Sequence, residues 1–380
     1  MNTEVTNPMP GNNWRVRDGE IVTQRLFDVA YSIDLARLET LWAQRPGGAS
    51  RRGGFRKTPP KAVAFDVPPL VLPLEPVTVD LGHHAHTAQV EVRVYDFGAV
   101  SIALRIAVTH CEWRAYTALL NEVDRHIGPA VEHPLWEHLL ARLFDVAGAA
   151  FERPNRSGLQ EDYLYGIVRA FEQPVPPASL IDDRGLVELL SGETVPLGEG
   201  TRRDLLRQRF SYYEDDLVVL TWDRAFIYDP RGDSDVADVL EIANAQLLEM
   251  RYYDELLDDE LPHMYDLVEA AQRALLPGAP RRYAELARRL YGLVAEVTEL
   301  KERVDNALQV TEDVYLARLY SAALDLFRVA GFSQAVDRKL AIIRDTYIAL
   351  YDEASGRRAE LLELTIVLLI LFEIVMAFVH

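Results

Sequence analysis

The chain has a single cysteine, Cys111, and only four lysines among its 40 basic residues, Lys57, Lys61, Lys301 and Lys339. One thiol cannot form a disulfide within the chain, and the composition suits a reducing compartment. None of the four lysines follows a glycine-rich loop, which excludes the phosphate cradle of a P-loop nucleotide site. No Cys-x-x-Cys and no His-Glu-x-x-His occurs, so the usual zinc frameworks are missing too. The first residues, Met1 to Trp14, are polar and rich in Asn and Pro, and they lack the apolar stretch of a signal peptide. Positive charge is also short: 59 acidic residues against 40 basic ones give a net charge of −19 over 380 residues. That field opposes broad binding to a nucleic-acid backbone, excludes DNA as an expected partner, and leaves the task to local basic patches.

With 49% apolar residues the chain is long and apolar enough for an ordered core, and its length suggests two to three domains. Residues 1–24 are expected to form a flexible tail. From Arg25 to Gln44 the pattern predicts a short strand and then a helix, capped by Ser32 or Asp34, with Leu35, Leu38 and Leu41 at helical spacing. Residues 45–61 carry six basic residues, no acid, four glycines and three prolines, the composition of a linker. Val90, Val92 and Val94 alternate with Glu91, Arg93 and Tyr95. After Asp96-Phe97-Gly98 the alternation resumes through Val100, Ile102, Leu104, Ile106 and Val108, which predicts a hairpin with one buried face. Helices are expected over 112–126 and 134–151, a strand over 163–171, a hairpin over 217–228 and a long helix from Ser234. Strand pairs followed by helices occur twice. The expected fold is therefore an α+β head over 25–276, suggesting two related halves.

Beyond Pro277-Gly278-Ala279-Pro280 the pattern changes. Leu286, Leu290, Leu293, Val297, Leu300 and Val304 form a heptad seam, and Val336, Leu340, Ile343, Tyr347, Leu350 and Ala354 form a second. These predict a helical stalk over 281–359, either a hairpin within one chain or a coiled coil between copies. The second reading makes the first seam an oligomerisation surface of a homo-oligomer. Leu361 to Val379 is 19 residues, about 28 Å of helix against a hydrocarbon core of about 30 Å, and is expected to be one C-terminal transmembrane helix. Arg357 and Arg358 precede it, which would place the N-terminal region on the cytoplasmic side. Glu373 lies within the run, either as an intramembrane functional carboxylate or as a residue reaching for the far interface.

Residues with chemistry to offer are scattered. His83, His84, His86, His110 and Cys111 are the best metal candidates, but their spacing fits a solvated turn better than a zinc site. The acidic runs Glu214-Asp215-Asp216 and Asp254 to Asp266 could bind a divalent cation, yet read more simply as solvated faces. No acid or base has a recognisable nucleophile, so no catalytic residue, metal or cofactor is expected. Arg45, Arg51, Arg52, Arg56, Lys57 and Lys61, with Phe55 among them, form the one local reversal of charge. They are the candidate surface for RNA, a ribonucleoprotein or an anionic lipid.

Four segments, Val29 to Glu39, Val94 to Leu104, Val336 to Thr365 and Ile366 to Phe378, resemble a family of membrane-anchored proteins. It includes the "required for meiotic nuclear division" proteins and their sporulation-linked relatives. The resemblance implies a membrane-anchored protein without catalytic residues, a relative of which acts as a tether in organelle translation. The expected function is thus a non-enzymatic, cytoplasm-facing scaffold that recruits a protein or ribonucleoprotein. The alternatives are a component of divalent-cation transport like the CorA-type magnesium channels, whose Gly-Met-Asn motif this chain lacks, and a metal-dependent enzyme.

Overall fold

The computed structural model describes residues 13–45, 48–54, 63–155, 158–232, 235–273, 279–306, 308–310 and 313–379. They form two units, Met1–Glu249 with Asp305–Val329, and Met250–Val304 with Ala330–His380. In chain order the elements are β1 (Arg15–Asp28), β2 (Ala30–Ile33), α1 (Leu35–Ala43), β3 (Arg51–Arg52), β4 (Val63–Phe65), β5 (Leu70–Asp80), β6 (Ala85–Val94) and β7 (Ala99–Glu112). Then come α2 (Trp113–Ile127), α3 (Pro134–Ala147), β8 (Phe151–Pro154), β9 (Gln160–Phe171), α4 (Pro177–Asp182), α5 (Arg184–Ser191) and α6 (Glu199–Leu205). The last are β10 (Gln208–Phe210), β11 (Leu217–Leu220), β12 (Arg224–Tyr228), α7 (Val236–Arg273), α8 (Ala279–Asp305), β13 (Leu308–Val310), α9 (Val314–Leu326) and α10 (Val329–Val379).

In the first unit, nine strands join one sheet in the order β10-β11-β12-β9-β1-β7-β6-β5-β3. Every neighbouring pair is antiparallel except β12 with β9, so the sheet is mixed. The strands read as two halves are thus parts of one sheet, with β1 at its centre. β1 itself begins at Arg15, inside the expected tail. Its alternation is hard to follow because register shifts fall between Val16 and Asp18 and between Asp18 and Gly19.

The predicted β6–β7 hairpin is present. Its turn depends on Gly98, at φ +108°, where an added Cβ would lie 1.8 Å from the carbonyl oxygen of Ala30. On one face of the sheet, Val90, Val92 and Val94 of β6 and Val100, Ile102 and Leu104 of β7 belong to a core shared with Trp113, Tyr116 and Leu120 of α2 and Trp136, Leu139 and Leu143 of α3. α1 joins this core through Leu35, Leu38 and Trp42, and Asp34 caps it by accepting from the backbone N–H groups of Ala36 and Arg37.

The opposite face is buried as well. Here α7 was expected to offer one apolar stripe, yet its residues from Val239 to Glu249 are buried on every side, including Glu241, Asn244, Gln246 and Glu249. α9 helps to enclose it: the Tyr320 hydroxyl donates to Gln246 Oε1 at 2.8 Å, and the Phe327 ring, just past α9, lies 5.4 Å from that of Tyr163.

In the second unit the seam residues Leu286, Leu290, Val297 and Val304 of α8, and Val336, Leu340, Ile343 and Leu350 of α10, are buried within one chain. The two helices meet through the rings of Tyr291 and Tyr347, 5.8 Å apart, and an ion pair of 2.5 Å between Lys301 and Asp337. A seam covered by its own chain can pair with a second copy only by opening first. Leu293 is half-buried, and the side chain of Leu300 lies outside the described residues.

The C-terminal expectation is corrected. Leu361–Val379 is the end of one 51-residue helix, α10, and among the described residues no helix is long and apolar enough to cross a membrane. Two carboxylates, Glu363 and Glu373, divide the run. The longest stretch free of them, Leu364 to Phe372, covers about 14 Å of helix, half of what a bilayer core requires. The transmembrane helix, the tail anchor and the membrane localisation inferred from it fall together. The side chain of Glu373 lies outside the described residues.

Gly98→Ala should destabilise the first unit by about 2 kcal/mol or more, because the new methyl meets backbone and the residue must hold a left-handed φ. Urea unfolding measures it, and an unchanged midpoint would refute the role given to this turn.

Candidate functional site

The polar members of the β6 alternation build the site. With the valines directed to the α2 side, Glu91, Arg93 and Tyr95 face α7. Arg93, whose side chain is 7% exposed, pairs with Asp238 at 2.8 Å, Glu241 at 3.2 Å and Glu91 at 3.6 Å. The Tyr95 hydroxyl donates to Glu241 Oε1 at 2.9 Å. Burial works against the Arg93 charge, but Glu241 and Asp238 outweigh it and hold the guanidinium's pKa well above its ordinary value. Burial raises the Glu241 carboxyl, with Arg93 opposing. Arg93 Nε is buried without a hydrogen-bond partner among the described residues, a cost the ion pairs must offset. Next to this knot, Gln24 of β1 donates to Ser101 Oγ of β7 and accepts from the Tyr165 hydroxyl of β9, each at 2.7 Å.

Beside Asp238 the layer opens into a cavity of about 270 Å³, lined by Glu20, Arg51, Gly54, Glu91, Arg93, Arg105, Arg169, Asp229, Gly232, Asp235 and Asp238, with Ile167, Ile227 and Ala237 as its apolar part. One wall is a chain of alternating charge. Arg51 pairs with Glu91 at 3.0 Å, Arg105 reaches Glu91 at 3.9 Å and Glu20 at 3.4 Å, and Arg169 pairs with Glu20 and, at 3.5 Å, with Asp18. The sheet sets this spacing: Glu20 lies across from Ile167 of β9, and Arg105 lies between Val22 of β1 and Gln89 of β6. Among the described residues the lining holds no Ser, Thr, Cys, His or Lys, and its polar side chains are guanidiniums and carboxylates.

A second charged cluster surrounds Arg224. It pairs with Asp124 at 2.5 Å and Asp223 at 3.4 Å, and donates to Asn121 Oδ1 and to the Leu189 carbonyl. Nearby, burial pushes the Asp162 carboxyl up to about 6, with Arg25 opposing. Four contacts to protein acceptors hold this guanidinium, which makes the cluster a structural knot.

Of the basic segment, Arg45 stacks over the Trp42 ring at 4.4 Å, while Arg51 and Arg52 form β3 at the edge of the sheet, paired with Glu91 and, at 2.9 Å, with Glu39. Arg56, Lys57 and Lys61 lie outside the described residues. Among the described residues no group of three or more His, Cys, Asp or Glu is placed to hold a metal ion. His110 faces Glu172 at 3.3 Å, and burial raises the Cys111 thiol, so it is not an activated thiolate. The acidic runs hold chain rather than cation: Asp216 accepts from the N–H groups of Tyr212 and Tyr213, and Asp254 and Asp258 hold Lys339 at 2.6 and 2.7 Å. Of the cavity residues, sequence reasoning singled out only Arg51. The missed signal was charge complementarity between Arg93 on a strand and Asp238 and Glu241 on a helix turn.

The chain is similar to the family described as "Uncharacterized protein MJ0711, N-terminal domain", which matches residues 18–235, more than half of its length. The chain belongs to that family. Among the curated proteins, it is 27% identical over 243 residues to uncharacterized protein MJ0711 of Methanocaldococcus jannaschii, covering 63% of this chain and 72% of that one. No solved structure matches the chain. The family match takes in the sheet and the arginine wall and stops at Asp235, where α7 is about to begin, so Asp238 and Glu241 lie beyond it.

Asp162 gives a test of the charge placement. Its carboxyl is raised from 3.8 to about 6, so the folded state binds the extra proton and stability falls as pH rises through that window. Asp162→Asn should remove this fall and raise stability at pH 7 by on the order of 2 kcal/mol. Urea unfolding at pH 4, 5, 6 and 7 compares the two proteins, and parallel curves would contradict the assignment.

Proposed function

We propose that the protein is a non-enzymatic binding protein that recruits RNA or a ribonucleoprotein through the arginine edge at β3 and the cavity beside it. The observation that carries this reading is the position of Arg51. It sits on the edge strand with half of its side chain exposed and also lines the cavity, so basic edge and charged cavity share a wall. The pairs Arg51–Glu91 and Arg52–Glu39 are exposed enough to be worth only about 0–1 kcal/mol each, so a phosphate can replace either carboxylate at little cost. Among the described residues the polar side chains of the lining are guanidiniums and carboxylates, which suit the recognition of a charged partner.

The reading predicts that a fluorescein-labelled single-stranded RNA binds with a salt dependence of roughly −0.7 in log K per phosphate contact. Arg51→Glu with Arg52→Glu should weaken that binding by roughly tenfold or more, because each reversal turns an attraction into a repulsion. Binding that ignores both salt and the double reversal would remove this surface from the account.

A further inference from the structure

We infer that the cavity is a binding site for a phosphoryl group carrying neighbouring hydroxyls, a ribose phosphate in chemical class, with Arg105 as its principal donor. This rests on the reading above for its phosphate chemistry and goes beyond it by naming the group and the residue. The first ground is a row of guanidiniums along the wall. Arg51, Arg105 and Arg169 all line the cavity and are bridged by Glu91 and Glu20.

The second ground is how loosely Arg105 is held. A guanidinium has five N–H donors, yet among the described residues Arg105 makes one hydrogen bond, of 3.4 Å to Glu20, and stands 3.9 Å from Glu91. Its side chain is 30% exposed and lines the cavity, between Arg51 and Arg169 in the chain of charges. A planar fork with donors to spare, flanked by two further guanidiniums, fits an oxyanion with several acceptors better than it fits a cation or an apolar ligand.

The third ground is the rest of the lining. Asp229 and Asp235 also line the cavity. Carboxylates repel a second phosphate but accept hydrogen bonds from hydroxyls, which selects a single phosphoryl group on a polyol over a polyphosphate. The volume of about 270 Å³ is several times a water's share of roughly 30 Å³ and near the lower end of small-molecule sites.

The test is titration calorimetry of the whole chain with ribose 5-phosphate, with inorganic phosphate and ribose as separate arms, on wild type, Arg105→Ala and Arg105→Lys. The lysine variant keeps a charge between Glu20 and Glu91, so it serves should the alanine variant fail to fold, and thermal unfolding checks both. The expected result is binding to wild type that exceeds either fragment and falls by roughly tenfold or more in both variants. No binding of ribose 5-phosphate at about 10 mM, or binding that the Arg105 variants leave unchanged, would overturn the inference. RNA oligonucleotides with and without a 5′-phosphate tell the sources apart: competition by the phosphorylated one alone assigns the site to an RNA end, and competition by neither assigns it to a free sugar phosphate. If RNA binding responds to the Arg51 and Arg52 reversals but ribose 5-phosphate does not bind, the inference fails while the broader function stands. If ribose 5-phosphate binds and RNA does not, the reverse holds.

Discussion

A guanidinium removed from water holds the first unit together. Arg93 projects from β6 into the face that α7 covers, and a charge so placed persists only when opposite charges meet it in good geometry. Asp238 and Glu241, one helical turn apart, provide this, and Tyr95 fixes the second carboxylate. The positions of α7 and of the polar layer over β1, β7 and β9 follow from that contact. So does the cavity, which forms where the first turn of α7 gives way to the loop carrying Asp229 and Gly232.

Much of the first unit was legible because local pattern and tertiary role agreed. The valine alternation of β6 and β7, the strand over Tyr163 to Phe171, the hairpin at Asp223-Arg224 and the proline at the start of α3 each produced the expected element. The failures have separate physical causes. β3 is two residues long and exists only because β5 offers it an edge, so no periodicity announces it. The start of β1 was hidden by its bulge. Arg93 and Tyr95 were read as the solvent face of a half-buried hairpin, because a strand's alternation says that its two faces differ but not that a helix covers the second. The C-terminal expectation rests on the length of the run and weighs Glu373 alone, whereas Glu363 and Glu373 together divide it.

The functional surface was legible only at its margin. A cluster of arginines on a strongly acidic chain pointed to Arg51 and Arg52, which stand at the sheet edge. Glu20, Arg105 and Arg169 come from strands far apart in sequence and meet only because β9, β1 and β7 are neighbours. Membership of a family that matches 18–235 fits this division: the sheet and its arginine wall lie inside the shared region, while the carboxylates that neutralise Arg93 come from the helix after it. The wall sets three guanidiniums, Arg51, Arg105 and Arg169, in a row bridged by Glu91 and Glu20.

The account stands or falls on whether Arg93 and Glu241 act as a unit. A double-mutant cycle with Arg93→Met and Glu241→Met, followed by urea unfolding, measures this directly. Each single change should cost about 3–5 kcal/mol, because it strands the other charge in the interior. The double change should cost less than their sum by about 2 kcal/mol or more. Single effects that add to within about 0.5 kcal/mol would show two independent sites and contradict the claim.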